Sequence, residues 1–389
     1  ALPIWAAFVT SGDVTNPLVS TAWATLPDLQ AKIDAAADNA TITLDSNTEI
    51  AATLQITKNL TLDLNGCTLR MTGTGSVLKV SGRATLTITD SSAAKSGTIT
   101  GGNAEYGGGV YVDDYAALKM TGGCITGCHA SRGGGGIYSS GNLYMGGTAK
   151  IEKCTGSDDA IWNRENSDIY ADGGTVDGTV NNQGTIKRSE GAAAVTVFNG
   201  TVYNRSAGTI IAGIYNGTVE NNGTISGGTF CGGVTIRKGS WVWERTGSIS
   251  GGTFYSSIVN EAGPERVTGV TFAVTFDRGD GTKTEPTPVK YNDLVPKPTA
   301  PTKSGYTFTG WEDANGAYDF NTPVTGPLTL TAKWEKVPSS GGNYYYHPTT
   351  DTKADDAKGS PKTADPGVAL YAALSLLSLT GLTCTTKKR

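Results

Sequence analysis

The chain is short of charge, histidine and strong helix formers, and each shortage excludes a class of protein. Charged residues make up 17 % of its 389 residues, against about 25 % in ordinary soluble domains. The formal net charge is −4, and no polybasic block precedes the last residues, so nucleic acid is not an expected partner. The two histidines, His129 and His347, are too few for a histidine-based metal site. We therefore expect no metal and no cofactor.

Glycine, threonine and asparagine stand where helix formers would otherwise lie. Glycine accounts for 53 of 389 residues, about twice its usual share of about 7 %. Because glycine is a poor helix former, long helices are disfavoured over most of the chain. The apolar residues come in short alternating groups that end in Gly, Asn or Asp. This pattern is typical of short strands joined by turns.

Similar segments return at intervals in the twenties, which predicts a stack of short strands. GTISGGTF (223–230) returns as GSISGGTF (247–254), and GGGVY (107–111) returns as GGGIY (134–138). No helix-length pattern separates these segments, so βαβ units are excluded. One unit alone cannot bury its inward Val, Ile and Leu, whereas stacked units share a core. The sequence predicts an all-β chain with a parallel β-helix over residues 27–270; an antiparallel sandwich or a disordered stalk is the alternative.

A helical pattern at residues 27–38 is expected to cap the open end of this stack. Leu29, Ile33 and Ala36 or Ala37 fall on one face of such a helix. Strand-like segments follow, including LTLDLNGCTL at 60–69. With this cap, the chain resembles the pectate-lyase-type right-handed β-helices (the pectin lyase fold) of bacterial surface proteins. Residues 1–26 are treated as a lead segment.

That resemblance does not decide activity, because the fold serves both polysaccharide enzymes and adhesins. Glycoside hydrolysis needs two carboxylates that flank the glycosidic bond. Asp158 and Asp159 supply a pair in GSDDAIW, and Asp168 follows in NSD. This order departs from that of the polygalacturonase-like hydrolases, whose GHG-like motif is also missing. These three residues are weak candidates for catalytic carboxylates. The alternative is that they belong to an ordinary solvated turn. We expect no catalytic activity.

Two of the six cysteines are predicted to lie on successive turns of the stack. Aligning MTGG (120–123) with MGG (145–147) places Cys128 over Cys154. Stacked strands would bring the two Cα atoms to about 5 Å, which is within disulfide range. A disulfide and two unpaired thiols are both open interpretations.

The composition changes near residue 271, where prolines and tryptophans become frequent. The motifs VTFDRGDG, PTKSGYTFTGW, YDFNTPV and LTLTAKW resemble the small β-grasp repeat of Gram-positive surface proteins, known from internalin-type B repeats. The resemblance implies an extracellular stalk, spacer or contact module over residues 271–336, without catalytic residues. Trp311 and Trp334 are predicted to pack in its core and not to form a sugar-binding platform with Tyr306.

The last 30 residues combine a short motif, an apolar run and a basic end. They follow a predicted disordered linker, residues 337–359, and consist of the motif at 360–364, an apolar helix at 367–384 and a basic tail at 387–389. This layout resembles the sortase cell-wall sorting signal, with the LPxTG motif replaced by Ser360, Pro361, Lys362, Thr363 and Ala364. The resemblance implies that a sortase cleaves after Thr363 and links it to peptidoglycan. Before processing, the apolar helix would hold the chain in the membrane; an ordinary membrane anchor is the alternative.

These expectations combine into one functional prediction. The chain would be an extracellular, cell-wall-anchored surface protein, an adhesin whose rod binds a host or plant glycan or matrix ligand without catalysis. The rival prediction is a wall-anchored polysaccharide lyase or glycoside hydrolase of the pectate-lyase-like fold. A purely structural spacer is a third interpretation.

Overall fold

The computed structural model describes residues 29–156, 159–239 and 246–338, and within these ranges its regular structure is almost all strand. One α-helix, α1, spans Leu29–Ala35, and a 3₁₀ helix spans Pro264–Arg266. The predicted N-terminal helix is therefore confirmed, with Leu29 and Ile33 buried on one face. No helix in these ranges has the length and apolar character needed to cross a membrane. The predicted apolar helix at 367–384 lies outside the described residues.

The strands of the stack are short. In chain order the first fourteen are β1 (Ala40–Thr43), β2 (Thr48–Ile50), β3 (Leu54–Ile56), β4 (Leu60–Asp63), β5 (Thr68–Met71), β6 (Leu78–Val80), β7 (Thr85–Thr89), β8 (Thr98–Thr100), β9 (Asn103–Tyr106), β10 (Val110–Val112), β11 (Ala117–Met120), β12 (Cys124–Thr126), β13 (His129–Gly133) and β14 (Ile137–Ser139). They continue as β15 (Asn142–Glu152), β16 (Thr155–Gly156), β17 (Ile161–Asn163), β18 (Asp168–Val176), β19 (Val180–Asn182), β20 (Thr185–Lys187), β21 (Val197–Phe198), β22 (Val202–Asn204) and β23 (Thr209–Ile210). The last are β24 (Ile214–Tyr215), β25 (Val219–Asn221), β26 (Thr224–Ile225), β27 (Thr229–Phe230), β28 (Val234–Ile236), β29 (Ser248–Ile249), β30 (Thr253–Phe254) and β31 (Ile258–Asn260).

These strands pair in parallel into three sheets. The ten-stranded sheet has the order β3-β6-β10-β14-β17-β19-β22-β25-β28-β31, and the three-stranded sheet joins β9, β13 and β16. The eighteen-stranded sheet contains two columns, which the long strands β15 and β18 both span. One passage of the chain through the sheets is called a rung below. The all-β class is confirmed, and the long parallel sheets are those expected of a β-helix solenoid.

The core follows from in-register stacking of alternate apolar residues. Leu86 of β7 lies beside Leu118 of β11, which lies beside Leu143 of β15 and then Ile169 of β18. All four side chains are fully buried. Strand alternation places such residues inward on every rung, so each rung completes the core of its neighbours.

A ladder of buried asparagines runs beside this core. Asn163, Asn182, Asn204 and Asn221 each end a strand of the ten-stranded sheet, and each is fully buried. The amide nitrogen of one donates to the amide oxygen of the next at 2.8, 2.8 and 2.7 Å. Buried polar groups need such partners, so the ladder fixes the spacing of these four rungs.

The C-terminal rungs also stack aromatic rings inside the core. Phe198, Tyr215, Phe230 and Phe254 form a column with centroid distances of 5.0, 4.9 and 4.7 Å and planes within 10° of parallel. The Tyr215 hydroxyl donates to the carbonyl of Ala212 at 2.6 Å. The column gives these short rungs a large apolar filling.

A separate five-stranded sheet follows the stack. Its strands are β32 (Thr271–Asp277), β33 (Thr287–Lys290), β34 (Tyr306–Asp313), β35 (Gly316–Ala317) and β36 (Leu328–Lys336), in the order β33-β32-β36-β34-β35. The central pair β32 and β36 is parallel, and the other pairs are antiparallel. Trp311 is 5 % exposed and packs against Phe276 and Phe308, which confirms its predicted core position. Trp334 is partly buried, and its indole N–H donates to the Arg278 carbonyl at 2.8 Å.

Both ends of the stack are covered. At the N-terminal end, the Gln30 side chain of α1 accepts from the Gln55 N–H at 2.7 Å and donates to its carbonyl at 3.1 Å, which pairs the free edge of β3. At the C-terminal end, the ring centroids of Phe272 in β32 and Phe254 lie 6.4 Å apart, and the Ile258 N–H donates to the Thr325 carbonyl at 2.8 Å. Covered edges matter because an open strand edge invites pairing with another chain.

Candidate functional site

The outer face of the ten-stranded sheet carries a row of aromatic side chains. In its three-residue strands the first and third residues point into the core, so the middle residue points outward. Register aligns the middle residues in the order Lys79, Tyr111, Tyr138, Trp162, Asn181 and Tyr203. Three consecutive rungs therefore present aromatic rings on one face.

Four rings form one cluster on this face, which we call the aromatic cluster: Tyr106, Tyr111, Tyr138 and Trp162. Tyr138 lies at its centre, with ring centroids 4.8 Å from Tyr106, 5.1 Å from Tyr111 and 6.5 Å from Trp162. Although Tyr138 stands at an outward position, its neighbours leave it only 8 % exposed. The other three rings remain partly accessible to solvent.

A glycine makes room for the indole of Trp162. A Cβ atom at Gly133 would lie 2.0 Å from the Trp162 ring, which is far closer than any real contact. Gly133 pairs with Tyr106 in the three-stranded sheet, so that sheet brings both residues to the cluster. The indole therefore packs directly on backbone at this point.

Charged groups around the cluster are mixed in sign. Lys79 lies 3.7 Å from Asp113 and 5.2 Å from the centre of the Tyr111 ring. Arg132 forms an ion pair with Glu105 at 3.0 Å. These pairs place hydrogen-bond donors and acceptors around the edge of the aromatic cluster, which we call its rim. Because the charges are paired, the rim has no strong net charge.

The stack of strands β1–β31 is called the rod below. Further along the rod, a polar network continues from the surroundings of the aromatic cluster. Arg205 lies over the Tyr203 ring at 4.9 Å and donates to the Asn181 side-chain oxygen at 3.1 Å. Asn181 in turn donates to the carboxylate of Asp159 at 3.4 Å. The aromatic cluster thus passes into a hydrogen-bonding surface on the next rungs.

A cavity lies at the edge of this face because successive turns differ in length. The turns after β10 and β17 hold four residues each, 113–116 and 164–167, whereas the turn after β14 holds two, 140–141. The short turn is recessed between the long ones. The resulting cavity of about 430 Å³ is lined by residues that include Tyr115, Arg164 and Glu165. We call this cavity the notch.

The notch and the aromatic cluster are neighbours. The positive charge of Arg164, which lines the notch, acts on the Tyr111 hydroxyl of the cluster. Burial nevertheless raises the pKa of Tyr111 above its ordinary value, with smaller contributions from Tyr138 and Asp113. At neutral pH the Tyr111 hydroxyl therefore keeps its proton and can donate a hydrogen bond.

A second aromatic pair lies on the eighteen-stranded sheet. The rings of Tyr144 and Tyr170 stack at 4.2 Å with an interplanar angle of 8°. Lys187 lies over Tyr170 at 4.8 Å and forms an ion pair with Asp168 at 2.7 Å, and that hydrogen bond raises the pKa of Lys187. This pair offers a matched comparison for the cluster.

The structure places the carboxylates predicted as weak catalytic candidates in separate networks. Asp158 lies outside the described residues. Asp159 is 3 % exposed and contacts Asn181 of the ten-stranded sheet, whereas Asp168 pairs with Lys187 on the eighteen-stranded sheet. In the described ranges, no three His, Cys, Asp or Glu side chains come together as a metal site.

The two cysteines of the sequence prediction lie on adjacent rungs. Ile125 pairs with Ile151 and His129 with Thr155, which confirms the predicted register and sets Cys128 beside Cys154. Both are buried and are free thiols in the structure. The hydrogen bond with Cys128, together with burial, raises the pKa of Cys154 far above its ordinary value. The disulfide stays a prediction.

The other predicted site, the sortase motif, lies outside the described part of the chain. Its residues, Ser360, Pro361, Lys362, Thr363 and Ala364, are in the C-terminal residues that follow 338.

Sequence reasoning missed the aromatic cluster. Its signal was the recurrence of an aromatic residue between two strand residues, in GGGVYV, GGGIYS and AIWN. The first two were used for the repeat period alone.

Comparison with known protein families finds a match for one part of the chain. Residues 272–333 match the Listeria-Bacteroides repeat domain. This range begins in β32 and ends in β36, so it coincides with the five-stranded sheet. The rod lies outside the matched range.

Two curated proteins are similar to part of the chain. Internalin H of Listeria monocytogenes is 36 % identical over 95 residues, which cover 23 % of this chain and 16 % of that protein. A protein of Evansella cellulosilytica described as a Gly-rich membrane protein is 35 % identical over 68 residues, 16 % of this chain and 8 % of that protein. The chain thus spans a small part of the length of either relative. No solved structure matches it. The matches fit a repeat-containing bacterial surface protein.

Proposed function

We propose that this chain is an extracellular surface protein of a bacterium, anchored to the cell wall, whose rod acts as an adhesin. The observation that supports this role best is the aromatic cluster, because rings held outward on a rigid sheet are available for contact. The rod itself is proposed to be a right-handed β-helix of the pectate-lyase type. Its parallel sheets and capping helix fit that form.

The two ends of the molecule have different tasks under this proposal. The match to the Listeria-Bacteroides repeat domain and the similarity to Internalin H support display at the surface, with the rod carried beyond the five-stranded sheet. The sortase motif at 360–364 supplies the covalent attachment, and sortase and peptidoglycan are the partners. The apolar run at 367–384 holds the chain in the membrane until Thr363 is linked.

The anchoring half is tested by wall fractionation. The full chain, supplied with an export leader, is produced in a Gram-positive host that has a sortase, and the walls are digested with a muramidase. We expect the chain to be released with wall fragments, and Thr363→Ala to move it to the membrane fraction. Thr352→Ala, in the linker before the motif, is the matched control and should leave wall attachment unchanged. Equal wall attachment of Thr363→Ala would contradict a sorting signal.

The adhesion half is tested with the same cells. We expect cells that display the chain to attach to surfaces coated with polysaccharides or matrix proteins, in excess of the empty host. Attachment equal to that of the empty host on every surface would refute the adhesin role. If soluble chain instead degrades polysaccharide, the enzyme alternative replaces it.

A further inference from the structure

We propose that the aromatic cluster binds an uncharged polysaccharide that lies across the middle rungs of the rod. This inference deepens the proposed adhesin function and rests on it for its biological setting. It assigns the binding surface to Tyr106, Tyr111 and Trp162, with Tyr138 as the buried support between them. The notch provides hydrogen-bonding groups beside that surface.

Ring chemistry favours a sugar chain. The C–H faces of a pyranose ring are apolar and carry partial positive charge, so they pack on the electron-rich faces of aromatic rings. In the cluster three partly accessible rings surround Tyr138 within 4.8 to 6.5 Å. Because the rings sit on strands of a continuous sheet, their spacing is fixed before a ligand arrives, which lowers the entropic cost of binding.

Hydrogen-bonding groups surround these rings, as sugar hydroxyls require. Arg132 and Glu105 lie beside Tyr106, and Arg164 and Glu165 line the notch near Tyr111. Carboxylates accept and guanidinium groups donate, so each ring has both kinds of partner nearby. A sugar that stacks on the rings would therefore keep its hydroxyls satisfied.

The charge pattern favours an uncharged polymer over an acidic one. Lys79 and Arg132, two of the cations beside the rings, are both already paired with carboxylates, Asp113 and Glu105. A polyuronate would bring its own carboxylates close to these acidic groups, which is unfavourable. A neutral polysaccharide meets no such repulsion.

The same face fits a sugar chain better than a protein partner. Aromatic residues and arginine are enriched in protein interfaces too, but the buried core of such an interface also contains closely packed apolar side chains. The outward positions from Lys79 to Tyr203 hold aromatic, lysine and asparagine side chains but no aliphatic residue. The rim is polar throughout this stretch. A sugar chain matches such a mixture of rings and hydrogen-bonding groups better than an apolar protein surface does.

The test measures binding of the purified full chain to a soluble glucan, a mannan and a galactan, with polygalacturonate, collagen and fibronectin alongside. We expect binding to at least one neutral polymer. Trp162→Ala and Tyr111→Ala should each weaken it about tenfold, which corresponds to about 1.4 kcal/mol for one lost ring contact. Tyr144→Ala removes a ring from the other sheet and is the matched control. It should leave the affinity unchanged.

A second variant keeps the Trp162 ring but changes the backbone surface on which it packs. Gly133→Ala places a methyl group where the Trp162 indole lies, so the indole must move. We expect weaker binding by a chain that still folds, as circular dichroism would show. Retention of full affinity by Gly133→Ala and by Trp162→Ala would show that the cluster is not the binding surface.

The outcomes separate this inference from the proposed function. Binding only to polygalacturonate or only to matrix proteins would overturn the inference, as would equal losses in Tyr144→Ala and Trp162→Ala. If displaying cells still adhere to matrix proteins in that case, the adhesin function survives without it. If the soluble chain binds a neutral polymer but is not retained on the wall, the inference stands and the anchoring half fails.

Discussion

The middle rungs, residues 103–176, and the C-terminal rungs, residues 197–254, use aromatic side chains in opposite ways. In the middle rungs Tyr111, Tyr138 and Trp162 stand at outward positions of the ten-stranded sheet, and the core beneath them is aliphatic. In the C-terminal rungs the rings of Tyr215 and Phe230 fill the core. In both sets neighbouring rungs bring the rings together, and the position within the pleat decides their role. Inward rings stabilise the rod, and outward rings are available for contact.

The largest expected effect is on the inward column. Phe230→Ala should lower the free energy of unfolding by about 3–5 kcal/mol, because it removes a buried ring and leaves a cavity between Tyr215 and Phe254. Chemical denaturation followed by circular dichroism measures this. Trp162→Ala, on the outer face, should change it by less than about 1 kcal/mol. Equal losses in the two variants would remove the distinction between the two regions.

Oxidation of Cys128 and Cys154 should come next and act on the middle rungs. A disulfide there would close a loop of about one rung and raise the free energy of unfolding by about 2–4 kcal/mol. Peptide mapping of chain isolated without reductant, then unfolded and alkylated, should find the two cysteines cross-linked and both Cys67 and Cys124 alkylated. If Cys128 and Cys154 are alkylated when the chain is isolated without reductant and then unfolded, they are two thiols and the disulfide is absent.

The asparagine ladder links the two regions, and its loss should have a smaller effect. Asn204→Ala leaves the Asn182 amide and the Asn221 oxygen without their partner, which should cost about 1–3 kcal/mol. Asn216→Ala removes an asparagine that pairs with Asn199 on the surface, and this control should cost less than about 0.5 kcal/mol. Differential scanning calorimetry compares them. Similar melting temperatures for both variants would argue against a structural role for the buried ladder.

The smallest effect concerns acid stability of the N-terminal rungs, which have neither aromatic column nor asparagine ladder. Burial raises the pKa of Asp90, but hydrogen bonds from Ser92, Gly97 and Gly66 outweigh it and hold the pKa below its ordinary 3.8. A carboxyl with a lower pKa in the folded state stabilises the fold above about pH 4 and loses that contribution as the pH falls through its folded pKa.

Asp90→Asn should therefore be less stable than the unchanged chain at neutral pH by about 1–2 kcal/mol, with a shallower loss below pH 4. Urea denaturation at a series of pH values measures both slopes. Asp114→Asn, at an exposed turn, is the control. An unaltered acid slope in Asp90→Asn would assign the acid sensitivity to other carboxylates.

The parts of the fold that follow from local alternation could be predicted from the sequence. Leu86 and Leu118 sit at alternating apolar positions, and Leu29 and Ile33 are four residues apart, so their burial follows from strand and helix geometry. The register of Cys128 and Cys154 followed from two similar units. In each case a pattern in the sequence indicates which residues come into contact.

The GGGVY and GGGIY segments align Tyr111 with Tyr138, but the whole aromatic cluster could not be predicted, because rung length is set by turns and not by the core. Leu78 pairs with Val110, 32 residues on, whereas Val219 pairs with Val234, 15 residues on. With no constant period, Tyr138 could not be aligned with Trp162 from repeats. The burial of Tyr138 further depends on Tyr106, which reaches it from a different sheet.

The parallel pairing of β32 and β36 has a mechanical consequence. The rod enters this sheet at the start of β32, near Thr271, and the chain leaves toward the proposed anchor at the end of β36, near Lys336. Flow that drags the rod away from the wall would pull these two neighbours lengthwise in opposite directions. Their ladder from Val274 to Asp277 would then be loaded in shear, with all its hydrogen bonds strained at once and not opened one by one. Under the proposed anchoring, this pairing would resist tension between the rod and the wall.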